Sequence, residues 1–315
     1  MHRTSSLRLA PVAGAAVAAL LLAACSADGS NDTAGGDEPD TLVFASIPSE
    51  EASNIALDNE HIIAVLEDEL DVTIETQEAT DYAAVIEGMR ADQVDIAAFG
   101  PFSYVTAHDG DAGAEPVAAL VDDPQEEPGY VSYGIVADDS DIQSIEDFAG
   151  QQVCFVDRTS TSGFLYPSAG LLEAGIDPLE DVEPVFAGGH DASALSTAGG
   201  DCDAGFAYDT MVDVELVESG QLSDGDLRVV WESPVIPGSP YAVSDRLSQD
   251  LRDKITEVFT DKLNIPWLVE NGYCDSEEDC TLPEDSGYGF VAVDDDLYQG
   301  IRDVCEVTRS ESCIE

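Results

Sequence analysis

Positive charge is what this chain has least of. It carries 11 Lys and Arg against 66 Asp and Glu, a formal charge of −55. A phosphate backbone needs a cationic surface, so this composition argues against a nucleic-acid partner. Histidine is scarce too. There are 4 in all, and His61, His108 and His190 stand far apart with no ligand spacing. No C-x-x-C pair occurs, which argues against a zinc site. No G-x-S-x-G elbow surrounds a serine, so the usual hydrolase nucleophile is missing. Ser223-Asp224-Gly225-Asp226 and Asp294-Asp295-Asp296 lack the alternating loop ending in Glu that calcium takes. There is no internal repeat. The expectations are no metal, no cofactor and no catalysis.

What is present starts at the N-terminus. Arg3 and Arg8 precede an apolar run from Leu9 to Ala24. That run is short for a membrane span and suits a secretory signal. It ends in Leu22-Ala23-Ala24-Cys25, which resembles the lipobox of bacterial lipoproteins. The resemblance implies cleavage of a signal peptide, 1–24, and lipid on Cys25. Residues 25–40 hold Gly, Ser, Asp, Asn and Pro with nothing apolar larger than Ala after the Cys, and read as a flexible tether. The expected location is the cell envelope, lipid-anchored at the outer face of the cytoplasmic membrane. Of 7 cysteines, Cys25 goes to lipid and an even set remains, as an exported protein prefers. The expected pairs are Cys154–Cys202, Cys274–Cys280 and Cys305–Cys313. The first two cysteines open apolar strand-like runs that neighbouring parallel strands would bring together; the other pairs close local loops. The acidic surface reads as a hydrated one, soluble in high salt. Salt screens surface charge over ~8 Å, so a cleft with enough local donors can still take an anion.

From Thr41 the pattern alternates strand and helix. Thr41 to Ile47, Val72 to Ile74, Val94 to Phe99 and Val117 to Val121 read as strands. Helices are expected from Ser49, which serves as cap, from Asp81 and near Ser103. Tyr130 to Val136 reads as a strand leaving a first lobe. A second series follows, with strands at Val153–Val156, Val182–Phe186, Ala204–Tyr208 and Leu227–Trp231 and helices near Ser162, His190 and Thr210. Such alternation implies parallel sheets with helical covers, and sites at the carboxyl ends of the strands. Ser233 to Pro240 is too proline-rich for a sheet interior and suits a return between lobes.

One strand end stands out. After Val153-Cys154-Phe155-Val156 comes Asp157-Arg158-Thr159-Ser160-Thr161-Ser162-Gly163. A strand giving way to a helix there offers unpaired N–H groups and the positive end of a helix dipole. The hydroxyls make it a compact, neutral anion receptor. An ordinary N-cap would need only one of them. At this point the chain resembles the phosphate, phosphite and phosphonate-binding proteins of bacterial ABC importers. The resemblance rests on Asp81 through Arg90, Val94-Asp95-Ile96-Ala97, Pro128-Gly129-Tyr130, Asp157 through Pro167, Gly189-His190-Asp191 and Ser233 through Pro240. It runs from about Thr41 to Leu263; the rest matches poorly.

The resemblance implies an α/β, two-lobed periplasmic-binding-protein fold of type II, a clam-shell with two interlobe crossovers. Lobe 1 would comprise 41–132 plus 238–315, and lobe 2 133–237. Ser160, Thr161 and Ser162 would bind phosphorus-bound oxygens, His190 would donate beside them, and Tyr82 and Tyr130 would reach in from lobe 1. An ABC permease is the implied partner, and the chain is expected to be monomeric. Relatives that take 2-aminoethylphosphonate hold its ammonium with acidic side chains. Here those positions fall on Thr210 and Ser239, with Asp209 adjacent as a substitute. A buried ammonium without a carboxylate is costly. The expected ligand is therefore phosphite, methylphosphonate or phosphate, with 2-aminoethylphosphonate or another organophosphonate as the alternative. A hydrolase built on Ser160 or Ser162, His190 and Asp209 is the distant rival; its order differs from the known triads.

Overall fold

The computed structural model describes residues 38–48, 55–283 and 286–313. The lipobox, the tether and the expected helix start at Ser49 lie outside them. Among the described residues, thirteen strands run in order: β1 (Thr41–Ser46), β2 (Thr73–Gln77), β3 (Ile96–Ala98), β4 (Ala114–Val121), β5 (Gly129–Tyr130), β6 (Ser132–Ala137), β7 (Gln152–Phe155), β8 (Glu183–Phe186), β9 (Ala204–Tyr208), β10 (Leu227–Glu232), β11 (Ile236–Pro237), β12 (Pro240–Ser244) and β13 (Gly289–Ala292). They form a six-stranded sheet, β13-β4-β12-β3-β1-β2, and a five-stranded sheet, β10-β6-β9-β7-β8. This is the two-lobed α/β architecture that the alternating pattern predicts.

The sheets are mixed rather than wholly parallel, which corrects one expectation. β1, β2 and β3 pair in parallel, as do β7, β8 and β9. β12 enters the first sheet antiparallel between β3 and β4, and β6 enters the second antiparallel between β9 and β10. Both arrive from the other sheet without a helical return, and only a parallel partner demands one. The two arrivals pass through a short antiparallel ribbon. β5 leads into β6 and β11 leads into β12, with Ile236 opposite Tyr130 and Pro237 opposite Gly129. Gly129 is needed there, because a Cβ on it would lie 2.9 Å from Val235 Cγ1.

Each sheet carries its own core. Phe44, Tyr241, Phe259 and Phe290 pack on the first, with Tyr241 and Phe290 edge to face at 4.8 Å. Phe148, Phe155, Phe164 and Phe206 pack on the second. Edge-to-face pairs add to what burial alone supplies. The region beyond Leu263 is part of the fold. β13 extends the first sheet along β4. The helix Gln299–Thr308 is held by Arg302, which reaches Asp109 at 2.6 Å and Asp295 at 2.9 Å. Tyr298 donates its phenol to the carbonyl of Gly238 at 3.1 Å, beside the crossover ribbon.

All three expected disulfides are present: Cys154–Cys202, Cys274–Cys280 and Cys305–Cys313. Cys154 sits in β7 and Cys202 just before β9, its parallel neighbour. This bridge spans 48 positions. Closing a loop of that length removes about 4 kcal/mol of denatured-state entropy in the chain-entropy model. Replacing both cysteines by alanine should lower unfolding free energy by roughly that amount. Denaturant titration of the double variant checks it; an unchanged midpoint would sink the assignment of stability to this bridge.

Candidate functional site

β7 stops at Phe155 because the next residues turn their polar groups on themselves. The Asp157 carboxylate accepts from Thr159 N at 2.8 Å and from Thr159 Oγ1 at 2.7 Å. Ser160 then caps the following turn, its Oγ accepting from Gly163 N at 3.0 Å. The turn Thr161–Leu165 is π-helical: Leu165 N donates to Ser160 O at 3.0 Å, and Tyr166 N to Thr161 O. Such wide turns are rare and recur at functional sites. Gly163 permits it, since a Cβ there would lie 2.3 Å from Val156 Cγ2. No other residue fits without moving the strand end.

Three further elements converge on this turn. His190 opens the helix His190–Ala198. Its Nδ1 accepts from the backbone N–H of Tyr208 at 3.3 Å, and its ring stands edge to face with Tyr208 at 4.6 Å. A backbone N–H only donates, so Nδ1 holds the lone pair and Nε2 the hydrogen. Nε2 lies 3.4 Å from Ser160 Oγ. Burial pushes the imidazole down to about 3, so it is neutral at physiological pH. Tyr82 opens the helix Tyr82–Arg90, which Asp81 caps by accepting from Ala84 N at 2.8 Å. Its phenol is buried beside Ser160 in the same lining, and burial raises its pKa beyond the usual tyrosine range. The third element is the helix Pro101–Asp109. Pro101 occupies its first turn, where a missing N–H costs nothing. The next free donor, Phe102 N, reaches Thr161 Oγ1 at 2.8 Å.

Tyr82, Ser160, Thr161, Ser162 and His190 line one cleft of about 510 Å³ between the two sheets' strand ends, and Phe102 braces Thr161 from behind that lining. That size suits a small-molecule site. Of the expected residues, Ser160, Thr161, Ser162, His190, Tyr82, Tyr130, Thr210 and Ser239 all line it. Asp209 does not, although Tyr208 and Thr210 on either side do. Its N–H instead donates to Val131 O at 3.1 Å. Its Oδ1 is buried without a hydrogen-bond partner among the described residues, and burial raises its pKa. The acids that do line the cleft are Asp58, Glu60 and Glu215. Glu215 accepts the Tyr208 phenol on both oxygens at 2.9 Å. No lining residue among those described is Lys or Arg.

Sequence reading missed the Phe102 N–H, Glu215 and the wall formed by Thr281, Leu282 and Pro283. The signal for the first was available, because Gly100-Pro101 directly follows a strand end. The others come from a turn and a tail with no motif. His61 is half-buried, at the edge of the first sheet's core. Its Nε2 lies 3.6 Å from Cys274 Sγ, and His61, Cys274 and Cys280 form a group with metal-ligand spacing, but both sulfurs are committed to the disulfide.

Comparison with known proteins agrees with this architecture. The profile of the family described as "ABC transporter, phosphonate, periplasmic substrate-binding protein" matches residues 44–298. The chain belongs to that family. The match extends beyond Leu263, where the resemblance read from motifs had stopped. The phosphate-import protein PhnD of Mycolicibacterium smegmatis is 44% identical over 308 residues, covering 95% of this chain and 96% of that protein. The binding-protein component of an ABC phosphonate transporter from Pseudomonas aeruginosa is similar in structure, with a TM-score of 0.74, 27% identity and 87% of each chain covered. PhnD1 of Prochlorococcus marinus, in complex with methylphosphonate, shares the fold with a TM-score of 0.73 at 20% identity, over 86% of this chain and 99% of that one.

The histidine sets a pH dependence. Its folded pKa lies below the unfolded value of about 6.5, so the unfolded chain takes up a proton that the native site refuses. Stability should be whole above pH 6.5 and decline as pH falls toward 3, by about 2 kcal/mol at pH 5 from this group alone. Unfolding curves of the parent and His190→Gln between pH 7 and 4.5 check it. Parallel curves would show that the imidazole is not buried neutral.

Proposed function

We propose that this chain captures a small phosphorus oxyanion between two lobes and passes it to a membrane permease. One observation carries the reading: donors from both sheets' layers meet at one turn. Tyr82 comes from the first, and Ser160, Thr161 and His190 from the second, with the Phe102 N–H of the first layer already holding Thr161 Oγ1. An anion bridging them favours the closed arrangement over the open one. The lobes divide as 41–132 plus 238–315 and 133–237, with the β5–β11 ribbon as hinge. Ser160, Thr161, Ser162 and His190 hold the oxygens, Tyr82 and Tyr130 close over them, and Thr210 and Ser239 flank the substituent. The chain acts as a monomeric binding protein, not an enzyme. Residues 1–24 are a signal peptide, lipid sits on Cys25, and 25–40 tether the folded body to the membrane.

Phosphite, methylphosphonate and phosphate are the first candidates. The presence of Glu215 in the cleft favours a second reading, an organophosphonate with a cationic substituent such as 2-aminoethylphosphonate. Calorimetric titration with all four separates them. One of the first three should bind tightest. Ser160→Ala/Thr161→Ala should weaken it by roughly 3 kcal/mol or more, over about 100-fold in Kd, since hydrogen bonds to a charged group contribute about 1.5–3 kcal/mol each. Preference for the aminoalkyl compound, lost in Glu215→Gln, would establish the second reading. Failure of all four to bind would refute both. Separately, Cys25→Ala should move the exported chain from the membrane to the soluble fraction; retention in the membrane would refute lipidation at that residue.

A further inference from the structure

We infer that Ser132, buried at the end of the first crossover and outside the cleft lining, is a positioning residue for the ligand: it supplies the hydrogen bond that the Ser160 turn lacks, and so fixes the Ser160 hydroxyl in the cleft. This deepens the phosphorus-oxyanion reading and rests on it.

The need for that bond arises from the sequence of the turn. In the π-helical stretch Thr161–Leu165 a carbonyl accepts from the N–H five residues on. Ser160 O takes Leu165 N, and Thr161 O takes Tyr166 N. For Ser162 the fifth residue on is Pro167, which has no N–H. The Tyr166 N–H, one residue nearer, is spent on Thr161 O. The Ser162 carbonyl is thus left without a helical donor, and a buried carbonyl left unpaired is costly. Ser132 fills the gap from 30 positions away, its hydroxyl donating to Ser162 O at 2.6 Å. A carbonyl only accepts, so the Ser132 hydrogen is committed to this bond.

What the bond holds is one peptide group. Its carbonyl is that of Ser162, and its N–H is that of Gly163, which donates to Ser160 Oγ at 3.0 Å. Donation to one end of an amide strengthens donation from the other. A line of hydrogen bonds therefore runs from Ser132 through the Ser162–Gly163 peptide to the Ser160 hydroxyl, which lines the cleft. Gly163 makes the tether necessary, because a glycine leaves the preceding peptide free to turn over. Ser132 is itself fixed by the second crossover. Its N–H donates to Ser233 Oγ at 2.9 Å, and the Ser233 N–H donates back to Ser132 O at 2.9 Å. The turn that meets the ligand is anchored in the paired strands that join the lobes, and not only in its own sheet.

The test is calorimetric titration of the full chain with phosphite, phosphate and methylphosphonate, in two double-mutant cycles. Ser132→Ala alone should raise the Kd of the tightest of the three by roughly fivefold or more, although Ser132 does not line the cleft. In a Ser160→Ala background the same change should cost less than about twofold, because the hydroxyl it acts through is gone. In a Pro167→Ala background it should again cost less than about twofold, because residue 167 then offers Ser162 O an N–H. A merely structural serine would cost the same factor in every background. An unchanged Kd in Ser132→Ala, or the full loss repeated in either background, would overturn the inference while leaving phosphorus-oxyanion binding intact. Thermal melts establish that each variant is folded; should Pro167→Ala not fold, the Ser160 cycle decides alone. Failure of the parent chain to bind any of the three would overturn the underlying reading as well.

Discussion

The structure depends on holding an anion in a strongly acidic protein with neutral donors alone. A chain of formal charge −55 has little cation to spend on a site, and none lines this one among the described residues. Attraction must come from N–H and O–H groups fixed in place beforehand, since a donor that has to be reoriented on binding loses much of its value. That requirement explains the density of constraint around Ser160. The Asp157 turn sets where the strand ends. Gly163 lets the turn press against Val156. The Tyr208 N–H sets which nitrogen of His190 carries the hydrogen. Each is a local feature, and each fixes the direction of a hydrogen rather than the position of a charge.

The sheets serve the same end. β7 and β9 are parallel neighbours, so their carboxyl ends place the Ser160 turn and Tyr208 side by side, and the Cys154–Cys202 bridge ties β7 to the residues just before β9. β3 ends at the helix that offers the Phe102 N–H. The paired crossovers, β5 with β11, are the covalent route between the sheets, and Tyr130 stands in one of them. Leu165 and Tyr166, which follow the serine–threonine turn, pack in one apolar cluster with Met89, Phe102 and Ile301 of the other side, so motion about so short a ribbon would shift that cluster along with the contacts of Tyr82 and Phe102. A binding protein needs rigid receptors on each side, and a set of contacts between them that a ligand can bias.

Much of this was legible in the residues. Apolar runs of four to eight residues closed by polar turns marked the strands, and helical spacing at Val85, Ile86 and Met89 marked a buried helix face. The proline-rich return at Ser233 to Pro240 marked a crossover. Ser160-Thr161-Ser162-Gly163 after a buried strand, with Gly189-His190 further on, marked residues that the fold brings to one cleft. Asp209 lies outside the lining while both of its neighbours belong to it, because adjacency in sequence says nothing about which face a residue at a strand end presents. Glu215 and the Thr281-Leu282-Pro283 wall were illegible for a related reason. They reach the cleft through packing between elements distant in the chain, and no local pattern encodes that. The mixed sense of the sheets was hidden likewise, since a strand's direction is decided by where the chain re-enters the sheet.

Sequence by itself determined the strand and helix order from Thr41 to Trp231 and the cysteine pairing, but not the strands Pro240–Ser244 and Gly289–Ala292, because the former follow from short-range pattern and residue chemistry. Only the tertiary structure decided which side chains share the cleft, which carboxylates face it and which way each hydrogen bond runs. Those depend on contacts between residues such as Phe102 and Thr161, or Tyr208 and His190, that come together only when two sheets and their connecting strands have found their places.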